Sequence, residues 1–348
     1  MDSLALNRDI EKWQDIPIRE TLYWIPKLSF GTVFDYLKVT LGGDIVINGS
    51  YRTGNIGDKA IGLTIKNKIE NEFDRKCILN GCNFIYQNFS KFNIYILGGG
   101  ALNDNKNLIY RLSPLKYAKK SMIMGNSINL MNSIKNKKAL KLIRHANFIT
   151  VRDNISKEYL EKFIDNEISV TADPAFIYKK GNNKPIDGSL GISLKYLRNY
   201  DETIKKKFIK FLNNNIKTLA KDYDLHFIAF APEDIIFIRK YFSQYSDILH
   251  FARTPDKTIK IIGKMEKMIC MRLHSLIFSI IEEKPLFVIN YAEKMDELSE
   301  KCKSFINLKN INENDSIYFN NNTNHISSIR REYQKKSKEN FNIFSNLL

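Results

Sequence analysis

Cysteine is scarce in this chain, with four among 348 residues. They stand at positions Cys77, Cys82, Cys270 and Cys302. None forms a C-x-x-C pair or has a histidine at metal-binding spacing, so neither a disulfide framework nor a zinc-finger site is expected. We expect the thiols to be reduced and mostly structural.

Long hydrophobic runs are also missing. No stretch reaches the ~18 uninterrupted apolar residues of a membrane-spanning helix. The opening residues, MDSLALNRDIEKWQD, lack the basic and then apolar segments of a signal peptide. The sequence therefore predicts a cytoplasmic protein.

Acidic residues are fewer than basic ones. The chain has 54 lysines and arginines and 38 aspartates and glutamates, which gives a net charge of +16. Such an excess favours an anionic partner, which can be nucleic acid, an acidic membrane surface or a phosphorylated small molecule. The lysines are spread over helical segments such as DETIKKKFIKFL, and no RNA-binding signature is present. We expect no nucleic-acid partner, whereas peripheral association with the inner face of a membrane stays open. The oligomeric state is not indicated.

What the chain does contain is an alternation of short β-rich runs and amphipathic helices. DIVINGSY, GDKAIGLTIKNKIENEF, NFIYQN and NIYILGGG follow one another from residue 44, a pattern typical of a parallel sheet covered by helices. KKGNNKPIDG, at 179–188, has the composition of a linker, and a similar alternation follows it. The predicted fold class is therefore α/β, with two Rossmann-like domains whose parallel sheets face a crevice.

The predicted boundaries divide the chain into four parts. Residues 1–43 form an N-terminal extension of unknown role, 44–182 the N-terminal domain and 183–320 the C-terminal domain. Residues 321–348 form a basic helix that either crosses back to the N-terminal domain or lies on a membrane surface, and packing is the favoured use.

Two glycine-rich segments lie where a backbone can approach a ligand. GSYRTGNIGDKAI follows the first strand and opens the first helix, but its glycines fit neither the dinucleotide fingerprint nor a P-loop. Asp58 at this helix start can serve as an N-terminal cap or as a dipole partner. IYILGGGAL ends a strand at Gly98, Gly99 and Gly100, where either a turn or a closely approaching group explains the glycines.

Two segments place charged residues between a strand and a helix. TVRDNIS puts Arg152 at a strand end, where it lines a ligand crevice or forms an interdomain salt bridge. CMRLHS predicts a strand to about Met271 and a helix from about Ser275, with Arg272 and His274 in the turn between them. Beside free helix N–H groups, both side chains suit an anionic substrate, although an isolated histidine is more often a packing residue.

Six motifs occur in one order: GNIGDKAI, LGGGAL, VRDNIS, ADPAF, RLHSLIFSI and KPLFVINYAEK. The ordered set, from about residue 44 to about 300, resembles the polysaccharide pyruvyl transferase family. The resemblance implies a fold like that of two-domain GT-B glycosyltransferases. It also implies transfer of the enolpyruvyl group of phosphoenolpyruvate, as co-substrate, to a sugar of a cell-surface glycan or its precursor, with formation of a pyruvate ketal.

The resemblance also implies roles for individual residues. The motifs assign catalysis to His274 and Asp58, and donor binding to Arg152, Arg272, Leu273, Asn55, Gly99 and Gly100. Two arginines can hold a phosphate and a carboxylate as charge-assisted pairs. A histidine, with an ordinary pKa of ~6.5, can act as acid in one step and base in another. Asp58 either accepts the attacking hydroxyl's proton or orients the acceptor, and Lys59 follows it where the family commonly has an acidic residue.

Three further residues have less defined roles. Asp173 in ADPAF is expected to hold a turn at the domain junction, while Tyr291 and Lys294 in INYAEK either close the domain around the donor or cap a helix. No metal-ligand cluster appears, so metal-independent transfer without a cofactor is expected.

Two alternative functions remain open. A GT-B glycosyltransferase with a nucleotide-sugar donor would share the glycine loops and crevice, and the acidic residues of VINYAEKMDEL do not exclude it. A non-catalytic basic binding module rests on net charge alone. The acceptor sugar, its hydroxyl pair, and whether it is lipid-linked or polymeric cannot be read from the sequence.

Overall fold

The structure is a computed structural model that describes residues 38–39, 41–51, 53–81, 89–102, 108–128, 134–181, 183–197 and 200–348. The predicted N-terminal extension lies almost wholly outside the described residues, as do Cys82 and the strand predicted over NFIYQN. The strand that follows the first helix is Cys77–Asn80, which sequence reasoning did not identify.

In the described part of the N-terminal domain there are seven strands and five helices. In chain order they are β1 (Gly43–Asn48), α1 (Ile56–Phe73), β2 (Cys77–Asn80), β3 (Phe92–Gly98), β4 (Ala101–Leu102), α2 (Leu108–Leu112), α3 (Pro114–Tyr117), β5 (Lys120–Ile128), α4 (Ile134–Ile143), β6 (Phe148–Val151), α5 (Asn154–Glu161) and β7 (Ile168–Val170), followed by a 3₁₀ turn over Pro174–Ile177. All strand pairs are parallel, in the order β2-β1-β3-β5-β6-β7, with β4 beside β5. The direction of strand succession reverses between β1 and β3.

The C-terminal domain has a second parallel sheet. Its elements are β8 (Ser189–Ser193), α6 (Glu202–Leu219), β9 (Asp224–Ile228), α7 (Pro232–Tyr241), β10 (Leu249–His250), α8 (Pro255–Lys264), β11 (Lys267–Cys270), α9 (Leu273–Ile281), β12 (Leu286–Asn290), α10 (Asp296–Cys302), β13 (Phe305–Asn307) and α11 (Thr323–Ser345), with a short 3₁₀ turn at Glu293–Met295. The strand order is β10-β9-β8-β11-β12-β13. Counted within the domain this is 3-2-1-4-5-6, the Rossmann order, and it reverses between β8 and β11.

The strands form because both faces of each sheet are covered. All five residues of β12, LFVIN, are buried, and the last four of β1 are as well. Such near-continuous apolar strands are typical of parallel sheets with helices on both sides. Polar residues then set the helix starts: Asn55, Asp153 and Asp201 each cap a helix by accepting a backbone N–H.

The two domains share a core. One apolar cluster includes Ile61 on α1, Phe230 after β9 and Leu276 on α9. A backbone hydrogen bond from the Ile56 N–H to the Phe230 carbonyl, 2.9 Å long, links the domains at the start of α1. The carboxyl ends of both sheets therefore meet at one cleft.

The RLH segment differs from its prediction. β11 ends at Cys270 and α9 begins at Leu273, so Leu273 and His274 belong to the helix and are not in the turn. Arg272 is the N-cap residue, with extended backbone angles of φ −80° and ψ 136°. The helix starts about two residues before the predicted position, Ser275. The polar His274 side chain fits in the first turn because it packs against Gly57 of the facing domain.

Candidate active site

The first helix of the chain supplies a cap and a carboxylate. Asn55 is the N-cap residue of α1, and its side-chain oxygen accepts the Gly57 N–H at 2.9 Å. Asp58 is therefore not the cap, which corrects one reading of the sequence, but an acidic residue in the first turn. Burial raises the pKa of Asp58 above its ordinary value, and the charges of His274 and Arg111 partly oppose that rise.

The two glycines assigned to donor binding, Gly99 and Gly100, have different structural roles. Gly99 has φ +67°, and a Cβ there would lie 2.1 Å from Cγ2 of Ile61, so this glycine lets α1 pack on the sheet. Gly100 has φ +86°, and a Cβ there would lie 3.3 Å from Oδ1 of Asp58. Gly100 borders the cleft, whereas Gly99 lies behind it.

Arg152 follows β6 and is held in place by two partners. Its Nε donates to Oγ of Ser127 at 2.7 Å, and its Nη1 donates to Oδ2 of Asp173. Only 9% of Arg152 is exposed, and 3% of Asp173. This ion pair lies within the N-terminal part of the chain, so it is not the interdomain salt bridge that the sequence left open.

Asp173 joins the two halves of the site. It caps its turn by accepting the Ala175 N–H at 2.9 Å, and its Oδ2 lies 3.5 Å from Nε2 of His274 in the other domain. Burial alone would raise the pKa of Asp173, but the charges of His274 and Arg152 and the Ala175 N–H hold it well below its ordinary value. Asp173 is therefore a carboxylate that links Arg152 to His274.

His274 lies at the domain contact on the first turn of α9. Its ring packs directly on Gly57, because a Cβ on that glycine would lie 2.0 Å from Nδ1. Nε2 has no hydrogen-bond partner among the described residues, although Asp173 stands at ion-pair distance. At 8% exposure, His274 is buried and not at an open loop tip.

Arg272 is bound by the start of α7. Its Nε donates to both carboxylate oxygens of Asp234, at 3.1 and 3.0 Å, and its Nη2 donates to Glu233 at 2.9 Å. Burial alone would lower the pKa of Arg272, but these two carboxylates raise it above its ordinary value. The Nε and Nη2 groups of Arg272 are thus already bound to carboxylates. Its Nη1 has no partner among the described residues.

Two lysines and a phenol line the C-terminal side. Nζ of Lys195 lies 5.0 Å, and Nζ of Lys294 5.4 Å, from the centroid of the Tyr291 ring. Burial raises the pKa of Tyr291, but Lys294, Lys195 and Arg272 together lower it below its ordinary value. Burial and the nearby Arg272 lower the pKa of Lys195.

Sequence reasoning missed two of these cations. Lys195 follows β8, one of the two strands at the reversal of the C-terminal sheet, and that position was the available signal. Arg111 on α2 is 3% exposed, and its Nε and Nη2 have no partner among the described residues. Burial lowers the pKa of Arg111, while Tyr95 and Asp58 act in the opposite direction. Arg111 places a buried positive charge near Asp58.

The side chains converge on a small cleft between the domains. This interdomain cleft is lined by Asn55, Asp58, Gly100, Ala101, Arg152, Phe230, Arg272, Leu273, His274, Tyr291 and Lys294. Nine of these eleven residues were predicted from sequence, and Ala101 and Phe230 were not. Asp173 is placed behind Arg152 and His274.

Within the residues that the structure describes, no group of three or more histidine, cysteine or acidic side chains is arranged to hold a metal ion. None of the helices in that part of the chain has both the length and the apolar character needed to cross a bilayer. The cysteines Cys77, Cys270 and Cys302 are buried without disulfide partners, and burial raises the pKa of Cys270 to about 12.

Two facing parallel-sheet domains with a polar cleft between them define a GT-B-like α/β architecture. A structure of MnaA from S. aureus, described as a co-structure with UDP, is similar with a TM-score of 0.50 and 11% identity over 85% of this chain and 91% of that one. The glycotransferase of kitacinnamycin has a TM-score of 0.48 and 6% identity, over 88% and 99% of the two chains. At such identities the likeness concerns the fold alone.

The sequence profile described as polysaccharide pyruvyl transferase matches residues 55–293. The chain belongs to the polysaccharide pyruvyl transferase family, and it is a transferase that modifies polysaccharide. A comparison with curated protein sequences finds no match.

Proposed function

We propose that this transferase moves the enolpyruvyl group of phosphoenolpyruvate to a sugar of a cell-surface glycan or its precursor and closes a pyruvate ketal. The observation that carries the proposal is the charge of the interdomain cleft. Arg152, Arg272 and Lys294 line it, and Lys195 stands beside them. Phosphoenolpyruvate brings both a phosphate and a carboxylate, and cations from both domains can share them.

The proposed first step adds a proton to the methylene carbon of phosphoenolpyruvate, which leaves an oxocarbenium-like centre at the adjacent carbon. A sugar hydroxyl attacks that carbon and loses its proton to a base. We assign proton donation and acceptance to His274, and the support is that it lines the cleft and that its Nε2 has no hydrogen-bond partner in the described part of the chain. Oδ2 of Asp173, 3.5 Å from that nitrogen, holds the ring in its orientation in this proposal.

In the proposed second step, phosphate leaves with the electrons of its C–O bond. The second hydroxyl then attacks the regenerated cationic carbon, and loss of its proton completes the ketal. One phosphoenolpyruvate and two hydroxyls thus give one ketal and inorganic phosphate. Asp58, whose pKa burial raises, is the second group in the cleft that can accept a hydroxyl proton.

The test is incubation of the purified protein with phosphoenolpyruvate and glycan acceptors. We expect release of inorganic phosphate and a mass gain of one pyruvyl group on the acceptor. His274→Ala should remove most turnover, and because the ring is buried against Gly57 it should also lower the melting temperature, so turnover is compared at a temperature where the variant is folded. Release of UDP from a nucleotide sugar, with no phosphate from phosphoenolpyruvate, would instead support a glycosyltransferase.

Arginine variants need a fold control. Arg272→Ala leaves Asp234 buried without its partner, at a cost of ~3–5 kcal/mol, so it is expected to lower stability as well as activity. Arg272→Lys keeps the charge and separates the two effects. Arg152→Ala should chiefly weaken the binding of phosphoenolpyruvate, measured by calorimetry.

We also propose that transfer needs neither a metal nor a cofactor, since the arginines and lysines can neutralise the donor's charge. Full turnover in the presence of a chelator is the expected result, and its loss would contradict the proposal.

We further propose that the protein acts in the cytoplasm and attaches to the inner face of the membrane through basic surface. Exposed lysines on α6, Lys206, Lys207 and Lys210, support this proposal. Cosedimentation with anionic vesicles at low salt is expected, and a protein that stays wholly in the supernatant would argue against attachment.

A further inference from the structure

A second cleft, of about 280 Å³, opens at the carboxyl ends of β12 and β13. We call it the sheet-end cleft, and it is lined by Tyr200, Tyr291, Ala292, Glu293, Asp296, Asn307 and Lys309. In α/β sheets, ligands bind outside the carboxyl ends of the strands. The cleft is thus in the right part of the fold for a ligand, yet no role described so far uses it.

The sheet-end cleft adjoins the interdomain cleft. Tyr291 lines both, so one side chain separates the two spaces. The Tyr200 hydroxyl donates to the Tyr291 carbonyl, which fixes the two tyrosines relative to one another. The two clefts therefore meet at Tyr291, and His274 lines the interdomain one.

The two clefts differ in charge. The interdomain cleft is bordered by two arginines and one lysine against the single carboxylate of Asp58. The sheet-end cleft has two carboxylates, Glu293 and Asp296, and one ammonium group, Lys309. Carboxylates disfavour an anion and accept hydrogen bonds from hydroxyl groups. The charge therefore favours a neutral ligand rich in hydroxyls over a second anion.

The polar groups have capacity left for such a ligand. Asp296 uses Oδ1 to accept from Asn290 at 2.6 Å, and Asn307 uses Oδ1 to accept the Lys309 N–H at 3.0 Å. Oδ2 of Asp296 and the amide nitrogen of Asn307 have no partner among the described residues. With the rings of Tyr200 and Tyr291, these groups combine flat apolar surface with a few fixed polar atoms, as in small-molecule sites.

We propose that the sheet-end cleft binds a neutral sugar ring of the acceptor glycan, with the reacting hydroxyls directed past Tyr291. The inference rests on the proposed function in its choice of acceptor, but the cleft's preference for a neutral sugar follows from its own residues. Tyr200 provides a stacking surface, and Asp296 and Asn307 bind ring hydroxyls.

The experiment measures two ligands separately. Saturation-transfer NMR follows binding of a panel of neutral methyl hexopyranosides and their 2-acetamido counterparts, and calorimetry follows phosphoenolpyruvate. Tyr200→Ala should weaken glycoside binding about tenfold, or ~1.4 kcal/mol. Tyr117→Ala, at an exposed tyrosine remote from both clefts, is the matched control and should leave it unchanged.

A second variant guards against a folding effect. Asp296→Asn keeps the side-chain volume and should also weaken glycoside binding, while phosphoenolpyruvate binding stays within about twofold of wild type in all variants. Equal glycoside affinity in Tyr200→Ala, Asp296→Asn and wild type would overturn the proposal. Absence of binding by every glycoside, or displacement of glycosides by UDP at this cleft, would overturn it as well.

The outcome also separates this inference from the proposed function. If glycosides bind in a Tyr200-dependent way but phosphoenolpyruvate does not bind, the donor assignment fails and the sugar site stands. If phosphoenolpyruvate binds and glycoside binding is unaffected by either substitution, the sugar site fails and the donor assignment stands.

Discussion

Gly57 decides how closely His274 can approach the N-terminal domain. The ring of His274 occupies the space that any larger residue would fill, since a Cβ at Gly57 would lie 2.2 Å from Cγ and 2.7 Å from Cβ of the histidine. Cβ of the histidine is fixed by the backbone of α9, so a side-chain rotation cannot relieve that contact. One missing methyl group thus allows the histidine of one domain to stand beside Asp58 of the other.

Gly57→Ala is therefore expected to displace His274 and to remove most turnover. Overpacking of this kind costs ~1–3 kcal/mol, so the variant should still fold. Turnover and melting temperature check both points. Gly43→Ala is the control, because its Cβ would come no nearer than 3.2 Å to Phe92. Wild-type activity in Gly57→Ala would show that the histidine's position is not critical.

Single residues differ in how far the sequence predicts them. Asp58, Arg152, Arg272 and His274 were found because each lies near a strand-to-helix junction within a motif. Arg111 was not predicted as a site residue, because its importance depends on its burial near Asp58. The local sequence NLIYRLSP has no pattern that indicates a buried arginine. Arg111 reaches this buried position only when the whole domain folds, so the sequence around it cannot predict the position.

At the scale of elements, the start of α7 orients the site. Asp234 accepts the Phe230 and Ala231 N–H groups at 3.1 and 3.0 Å and also binds Arg272. A carboxylate in the first turn of a helix is stabilised there by the free N–H groups. The helix thereby holds Arg272 in a fixed direction before a substrate arrives.

Asp234→Asn should cost ~3–5 kcal/mol of stability, because it removes the buried carboxylate of the Arg272 ion pair and leaves the partly exposed Glu233 as the remaining charged partner. Binding of phosphoenolpyruvate should weaken as Arg272 loses its fixed orientation. Chemical denaturation and calorimetry measure the two effects. Glu233→Gln, whose side chain is 37% exposed, is the matched control and should cost no more than ~1 kcal/mol. Equal losses in the two variants would contradict this account.

Elements were predicted better than their junctions. The alternation of apolar strands and amphipathic helices gave the two sheets, because buried parallel strands have a distinctive composition. Strand order could not be read, since it depends on which helices cross which face. The start of α9 was misplaced because Arg272 and His274 look like turn residues until the facing Gly57 and Asp173 are known.

A small network of charges connects three segments around the end of α9. Glu283 pairs with Lys180 of the interdomain segment and with Arg330 of α11, and accepts from Ser327 at 2.7 Å. Burial alone would raise the pKa of Glu283, but Lys180 and Ser327 lead a set of contacts that lower it to about 2. The folded-state pKa thus lies below the ordinary value of 4.5.

Stability from Glu283 is therefore fully present above about pH 4.5 and is lost as the pH falls toward about 2. The side chain is 27% exposed, so after solvent screening we expect about 1–2 kcal/mol. Urea unfolding at pH 6 and pH 3 should show a smaller acid loss in Glu283→Gln than in wild type. Glu300→Gln, at an exposed position, should keep the wild-type pH dependence; a matching loss there would refute the assignment.

At the scale of the whole molecule, α11 joins the two domains. On the C-terminal side, Lys301 binds Glu332 at 2.7 Å and Tyr333 donates to Glu297 at 2.9 Å. On the N-terminal side, the ring of Phe344 packs edge-on against Phe73 at 5.4 Å. The terminal helix thus packs across both domains, and the alternative of a helix lying free on a membrane does not describe its buried face.

Asn340 is the polar centre of that contact. Its side-chain oxygen accepts from the hydroxyls of Thr150 at 2.6 Å and Thr171 at 2.9 Å, and its amide donates to the Ala172 carbonyl at 2.9 Å. The residue is fully buried. These partners belong to the segments around β6 and β7 that also carry Arg152 and Asp173, so the helix supports the back of the active site.

Asn340→Ala should lower the free energy of unfolding by ~1–3 kcal/mol, because it leaves two hydroxyls and a carbonyl without their partner in a buried place. Since Thr171 and Ala172 precede Asp173, we also expect weaker binding of phosphoenolpyruvate. Denaturant unfolding and calorimetry measure both quantities. Asn342→Ala, two residues along the same helix but exposed, is the matched control, because it removes only a bond to Glu339. A stability change in Asn340→Ala no larger than in the control would show that α11 does not anchor the domains through this contact.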